Sequence, residues 1–366
     1  MHRILHITTV HPRDDVRIFL KECLFLSRSG YEVHLIVGDG MGDGEVDGII
    51  IHDIGARPKS RMQRFWFQTR KAYKKAIALH PQIVHFHDPE LLPLGRKLMQ
   101  KGMRVIYDVH EDLPREKLHS PYIPKLLRPA VSIGLEIYEN RAAKRLTGLV
   151  AATSHIAQRF LKQGMHVIDI HNYPILGELQ CKAERSLSNR ICFIGCLSRE
   201  RGLMPLIRAL PLVPEVRLTL CGLFSEQDFE RELRHEPGWA QVDYLGQVDR
   251  KTVARVMSES CAGIVTFLQI PSHVEAQPNK LFEYMSAGLP VIGSHFPLWK
   301  KLIEDTGVGM CVDPSSSREI AQAIHAVFSD PVRAKNMGDT GRYMVLNQYN
   351  WASEFQKLKA FYESIV

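Results

Sequence analysis

Short apolar runs alternate with amphipathic stretches along the whole of this 366-residue chain, and that rhythm limits the fold more than any other feature. Runs at 3–10, 31–37, 48–54, 83–87, 104–110 and 148–153 have the length and composition of strands. Helical spacing lies between them at 16–29, 64–79, 91–100 and 125–145. The second half repeats the pattern, with strands at 191–196, 216–221, 242–246, 263–268, 290–293 and 309–312 and helices at 203–210, 252–259, 280–287, 317–328 and 331–348. Strands separated by helices pair in parallel and are covered on both faces. The length exceeds what one core usually serves. Two successive sets therefore predict an α/β chain of two Rossmann-like, doubly wound domains, 1–174 and 175–348, facing across a cleft, with the break in the polar stretch 175–190. Trp351, Phe355, Leu358 and Tyr362 recur at helical spacing, so 349–366 is expected to be a C-terminal helix packing back toward the first domain. Ligands of open parallel sheets bind beyond the carboxyl ends of the strands, which makes the cleft the expected site.

Composition narrows the class. An apolar content of 45% with 24% charged residues suits a water-soluble domain protein. No uncharged apolar run approaches the roughly 18 residues of a membrane span, and the N-terminus turns charged too soon for a secretory signal. The seven cysteines are scattered without a CxxC pair, as expected of reduced thiols in a cytoplasmic protein. The net charge of +7 is uneven: residues 1–175 carry 26 Lys and Arg against 18 Asp and Glu, residues 176–366 carry 21 against 22. Such a basic first half points to an anionic partner. It is concentrated at 56–75, where eight Lys and Arg meet no acid beside Phe65, Trp66 and Phe67. On a helix Arg64, Phe67, Lys71 and Lys74 form one face, suited to an anionic membrane surface. No nucleic-acid-binding module is recognisable, so no nucleic acid is expected.

Three segments carry chemistry. In His273-Val-Glu275-Ala-Gln-Pro-Asn279-Lys280-Leu-Phe-Glu283, two acids stand eight apart across a loop that becomes a helix, with Asn279 as the expected N-cap. The amides of such a helix start suit sugar hydroxyls or phosphate, and a carboxylate there can accept from the paired hydroxyls of a ribose. In Gly195-Cys196-Leu-Ser-Arg199-Glu-Arg201-Gly202, a strand ends at glycine and a basic loop follows, which suits close approach to phosphate. In the first half, His85, His87, Asp88, His110, Glu111 and Asp112 lie at or just beyond strand ends. His85 reads as a structural histidine and Asp88 as a cap for the next helix. His85 and His87 could ligate a metal, but no third ligand is evident, there is no Asp-x-Asp, and no metal or other cofactor is expected.

The segment from Glu275 through Lys280-Leu-Phe-Glu283-Tyr-Met-Ser-Ala-Gly288-Leu-Pro290-Val291 resembles the E-x7-E region of glycosyltransferase family 4, retaining enzymes of the GT-B fold. The resemblance implies that Glu283 holds the donor ribose, that Glu275 contacts the transferred sugar, and that Asn279 and Lys280 belong to the donor site. It implies that Gly195 and Arg201 meet the donor diphosphate, with Arg199 and Lys280 as supplements. It also implies that Gly246 and Val248 reach the nucleotide base through their backbone and that His110 lies near the transferred sugar. His110, Glu275 and Arg201 are thus the expected catalytic set. Two positions depart from the family pattern. Cys196 stands where an Arg is usual, and the first loop has polar residues where many members have paired glycines. That loop looks like the one in a subgroup associated with bacterial surface-polysaccharide synthesis. It is expected to read the acceptor through His11, Arg13, Asp15 and Arg17, with Glu111 nearby; ordinary capping by Asp14 or Asp15 is the alternative. The resulting expectation is a cytoplasmic enzyme, peripheral on the inner face of the membrane. It would transfer a sugar, with retention, from a UDP-sugar or similar donor to a glycan or polyprenyl-linked acceptor in polysaccharide, O-antigen or capsule synthesis. A sugar-nucleotide 2-epimerase and a catalytically silent partner subunit remain open.

Overall fold

Eight strands build the first sheet: β1 (Arg3–Ile7), β2 (Glu32–Val37), β3 (Gly44–Val46), β4 (Ile49–Asp53), β5 (Ile83–Phe86), β6 (Arg104–Val109), β7 (Gly148–Ala151) and β8 (Val167–Asp169). Their spatial order is β3-β4-β2-β1-β5-β6-β7-β8, parallel except for the short edge strand β3. The computed structural model describes residues 2–58, 60, 64–118, 122–179 and 189–365. A second sheet orders β9 (Arg190–Ile194), β10 (Arg217–Cys221), β11 (Val242–Tyr244), β12 (Ala262–Val265), β13 (Val291–Ser294) and β14 (Gly309–Val312) as β11-β10-β9-β12-β13-β14, all parallel. Each sheet is the frame of one unit: Met1–Asn172 with Ala352–Val366, and Tyr173–Trp351. The central strands read as unbroken apolar runs because both their faces are buried.

Each strand order reverses once, at β1/β5 in the first unit and at β9/β12 in the second. Those switch points open a crevice beyond the carboxyl ends of the strands, where a doubly wound sheet takes its ligand. The C-terminal helix Trp351–Ile365 buries Trp351, Phe355, Leu358 and Tyr362. From Ala352 it is part of the first unit, where Phe355 packs on Phe25 and the Tyr362 hydroxyl lies 2.6 Å from His85 Nδ1.

Several local expectations change. The expected helix over 16–29 is a π-helical segment Val16–Cys23 followed by an α-helix Leu24–Arg28. A π turn closes five residues back, as in the bond from Leu20 N to Asp15 O. It therefore brings Arg17 and Glu22 to one side, which an α-helix would not. The first strand ends at Ile7 rather than running to 10, because Thr8 and Thr9 turn their hydroxyls to Asp88. Asp88 consequently does not cap the helical turn it precedes. Pro278, not Asn279, holds the N-cap of the helix Asn279–Ser286, and Asn279 is its first residue. Lys59 and Arg61 of the basic stretch, and most of 175–190, lie outside the described residues.

Gly202 sets the closest approach in the second unit. Its φ is +72°, and a Cβ there would fall 1.7 Å from the Thr266 carbonyl oxygen. Gly202→Ala should therefore destabilise the protein by more than about 1 kcal/mol, read as a lower urea midpoint at unchanged m; an unshifted midpoint would show that the loop relaxes freely.

Candidate active site

In the second unit, β9 delivers Gly195 to the switch point with φ +122°, and a Cβ on it would meet Lys280 Nζ at 3.1 Å and Arg201 Nη1 at 3.7 Å. Three residues expected at the diphosphate are thus brought together. Lys280 lies in the first turn of its helix, buried, with Nζ 3.9 Å from the centroid of Phe193 and 5.1 Å from that of Phe267. Arg201 stacks over the same Phe267 at 5.0 Å. The Lys280 ammonium donates no hydrogen bond to any described residue. Burial, then the charge of Arg201, pushes its pKa well down. A buried cation without an acceptor, beside a second cation and a bare glycine backbone, is an arrangement that an anion completes.

Arg199 does not join them. Its guanidinium pairs with Glu232 and lies over Phe229 at 4.6 Å, so its donors are used on the neighbouring helix. Cys196 is exposed and forms no disulfide. Glu283 sits on the same helix as Lys280 and accepts from Arg250 Nη1 at 2.8 Å, while Arg250 Nε donates to Glu178 at 2.6 Å. Arg250 was not anticipated; the signal was its place directly after Gly246-Gln-Val248-Asp249, where Asp249 caps the helix Arg250–Ser258. Gly246 follows β11 with φ +67° and open space around its Cα, and its carbonyl accepts from Gly222 N. Val248 is half-buried. Glu275 is exposed at the end of a short helix, in a loop fixed by Trp299 Nε1 donating to the Ala276 carbonyl. Asn279 is also exposed.

In the first unit, the ends of β1, β5 and β6 meet around Asp108. Arg17 Nε and Nη2 each donate to its carboxylate at 2.9 Å. His110 Nε2 lies 2.9 Å from Asp108 Oδ2 and His87 Nδ1 lies 3.1 Å from it. Burial would raise Asp108, but Arg17 and then His110 hold it well below the usual carboxylate range. Burial pushes His87 down to about 4. His110 is 18% exposed, and the His11 ring stands 5.1 Å from it. His11 Nδ1 is 3.3 Å from Asp15, and its Nε2 is 3.7 Å from Asp88. His110 and His11 are therefore an oriented imidazole pair at the strand ends, each backed by a carboxylate.

Three residues expected to read the acceptor are engaged elsewhere. Arg17 is only 5% exposed and is consumed by Asp108. Arg13 is held by both oxygens of Asp39 and by the Gly42 carbonyl. Asp15 caps the π-helical segment, accepting from the amides of Arg17 and Ile18. Glu111 is exposed beside Glu116, whose carboxyl burial and Glu111 push up to about 8. His85 is fully buried, as a structural histidine should be, but His85 and His87 are not without further ligand groups: His6 and Glu22 surround them. Among the described residues no helix is long and apolar enough to cross a membrane.

Known families match both halves of the chain. The family model Glycosyltransferase Family 4 matches residues 17–172, and Glycosyl transferases group 1 matches residues 181–344. An uncharacterized glycosyltransferase of Methanocaldococcus jannaschii is 28% identical over 165 residues, 44% of this chain and 41% of that protein. A phosphatidyl-myo-inositol mannosyltransferase of Mycobacterium leprae is 26% identical over 227 residues, 58% of each. The chain thus spans about half the length of these two relatives. Among solved structures, sucrose-phosphate synthase from Thermosynechococcus elongatus superposes with a TM-score of 0.81 at 16% identity, over 100% of this chain and 99% of that one. HepE of Anabaena, solved with UDP-glucose, gives 0.78 at 16% over the whole of both.

Two outcomes follow from the electrostatics. Burial alone would lower His11, but its bond to Asp15 and the charges of Asp88 and Asp108 raise it, and Asp15 is held at about 2 despite its own burial. A raised histidine stabilises below its unfolded value and loses that contribution as pH rises through its folded value; the lowered Asp15 contributes above its unfolded value. His11→Gln should therefore destabilise more at about pH 5.5 than at about pH 9; equal losses in urea at both would refute the pairing. For Lys280, an anion entering beside Arg201 meets a cation with no other acceptor, so pyrophosphate should bind more weakly to Lys280→Met than to the wild type in calorimetry; equal affinities would take Lys280 out of the anion site.

Proposed function

The chain belongs to the glycosyltransferases of family 4, with the GT-B fold, and within that family we propose that it moves a sugar with retention from a UDP-sugar to a glycan or lipid-linked acceptor of a bacterial surface polysaccharide. The observation that carries the reading is the convergence of Lys280 Nζ and Arg201 on the bare backbone of Gly195, with Glu283 on the same helix. Two cations at a glycine turn match a diphosphate, and a carboxylate at the fifth residue of the same helix matches the diol of a ribose. Departure of the nucleoside diphosphate is assisted by charge that is already in place, a large contribution in group transfer. Lys280 supplies the cation that Cys196 does not. Glu275 contacts the transferred sugar and the backbone of Gly246 and Val248 the base, while His110, oriented by Asp108, is the first unit's catalytic group. His11 and Glu111 remain for the acceptor. With the charge supplied by side chains and no Asp-x-Asp in the chain, no metal takes part in the transfer, and chelator added to the assay leaves turnover intact.

The test is calorimetry and turnover with nucleoside diphosphates and their sugars, UDP first, followed by assignment of the anomeric configuration of the product. Glu283→Ala should weaken UDP binding by about 1.5–3 kcal/mol, the worth of hydrogen bonds to a charged acceptor, while Arg199→Ala should leave it unchanged. Donor converted to an epimer without acceptor would replace transfer by epimerisation. Absence of binding or turnover with every nucleotide sugar would leave a silent partner subunit.

The acceptor reading brings the protein to an anionic bilayer on the inner face of the cytoplasmic membrane. Its support is the basic stretch, where Trp66 and Phe67 are 67% and 64% exposed beside the exposed Arg70 and Lys74. Lys71, expected on the same face, donates instead to the Ile54 carbonyl. The side chains of Arg64 and Phe65 lie outside the described residues. Arg70→Glu with Lys74→Glu should abolish co-sedimentation with phosphatidylserine vesicles at low salt and leave UDP binding intact; wild-type protein that ignores such vesicles would remove the membrane from the reading.

A further inference from the structure

Beneath the imidazole pair lies a second cluster that sugar transfer does not use. His6 on β1, His85 and His87 at the end of β5, and Glu22 on the π-helical segment each present one ligand atom, and all four atoms lie within 4.8 Å of one another. The sheet register places His6 directly opposite His85, so the two rings share one face. Four edges of this tetrahedron measure 3.0 Å from His6 Nδ1 to His87 Nε2, 3.8 Å from His6 Nδ1 to Glu22 Oε2, 3.6 Å from His85 Nδ1 to Glu22 Oε2, and 3.9 Å from His87 Nε2 to Glu22 Oε2. A zinc ion bound tetrahedrally at its usual bond lengths separates its ligand atoms by about 3.3 Å. These four edges lie within about 0.6 Å of that value, so a modest contraction around an ion closes the site.

A second observation is independent of the spacing. Glu22 is fully buried, and neither of its oxygens accepts a hydrogen bond from any described residue. Arg17 Nε lies 3.2 Å from Oε1, but its proton is directed at Asp108. One guanidinium thus serves two buried carboxylates, Asp108 by hydrogen bonds and Glu22 by charge alone. A buried carboxylate without donors is costly, and a second cation would offset that cost.

We propose that His6, Glu22, His85 and His87 bind one zinc ion in a closed, structural site. Three imidazoles and one carboxylate are a zinc donor set, and four protein ligands leave no open position for chemistry. The outer groups are also in place. His87 turns its other nitrogen to Asp108 at 3.1 Å, the carboxylate–histidine–metal arrangement that fixes a ligand's tautomer. Tyr362 of the C-terminal helix sets its hydroxyl 2.6 Å from His85 Nδ1 and 3.5 Å from His6 Nε2, so it turns from the first nitrogen to the second when the ion takes Nδ1. The ion would join β1, β5, the π-helical segment and, through Tyr362, the C-terminal helix. Because every ligand is buried, chelator in an activity assay would not withdraw it from the folded protein.

The full-length protein tests this without a known substrate. Purified wild type should carry about one equivalent of zinc per chain by elemental analysis. Grown in cobalt-supplemented minimal medium, it should show the intense visible bands of tetrahedral cobalt. Glu22→Gln and His6→Phe should lose the ion, whereas His110→Ala and His34→Ala should keep it. Wild type without stoichiometric zinc and with only the pale spectrum of octahedral cobalt overturns the proposal, whether or not the variants fold. Loss of the ion in His110→Ala with retention in Glu22→Gln overturns it too, by moving the metal to the trio of His87, Asp108 and His110.

Discussion

The first unit is organised around one buried charge pair, Arg17 with Asp108. Both side chains are out of water, and their two parallel hydrogen bonds at 2.9 Å are the geometry in which guanidinium and carboxylate match best. Removing one partner of such a pair leaves an uncompensated interior charge, at a cost of about 3–5 kcal/mol. Asp108 also receives His110 and His87, so the orientation of the exposed imidazole depends on a guanidinium that never meets solvent. Arg17 further donates to the Ile170 carbonyl at 2.9 Å and so ties the start of the π-helical segment to the chain beyond β8. The unusual winding of Val16–Cys23 serves this centre, because only a turn that closes at five residues sets Arg17 and Glu22 side by side.

The second unit achieves charge placement differently. Its cations are held over aromatic faces rather than against carboxylates: Lys280 over Phe193 and Phe267, Arg201 over Phe267. A ring face lowers the cost of keeping a cation in place without neutralising it. The loops are fixed by backbone bonds, Leu268 N to Glu200 O among them, and by the contact of Gly202 on Thr266. The cations are therefore positioned before any ligand arrives.

How much of this was legible in the sequence follows from the range of each interaction. Alternating apolar and amphipathic segments revealed the two parallel sheets, since a buried strand and a covering helix each need a local pattern. Glu283, Lys280 and Gly195 stood in recognisable motifs, and the structure brings Lys280 and Gly195 together as expected. What stayed hidden depends on long-range partners or on exact winding. Arg13 and Arg17 looked like loop residues free to read an acceptor, yet Asp39 and Asp108 claim them across 26 and 91 positions. Arg199 and Arg201 are two apart and chemically alike, but the 3-10 turn between Arg199 and Arg201 turns one toward Glu232 and the other toward Phe267. His6 and Glu22 could not be joined to His85 and His87 without the register of β1 on β5 and the π turn.

Cys196 in place of an expected Arg bears on how the anion site works. An exposed Arg in that loop would be hydrated until a phosphate arrived and would lose that hydration on binding. Lys280 has already lost it: the helix start and the two rings keep its ammonium dry, and that burial pushes its pKa down. An anion that enters exchanges its own hydration for a cation with no competing partner, so less of the attraction is cancelled by desolvation on the protein side. The same reasoning covers Glu283, whose carboxylate is fixed by Arg250 before a diol reaches it. Both groups are aligned by contacts within the fold, and the energy of binding need not be used to arrange them.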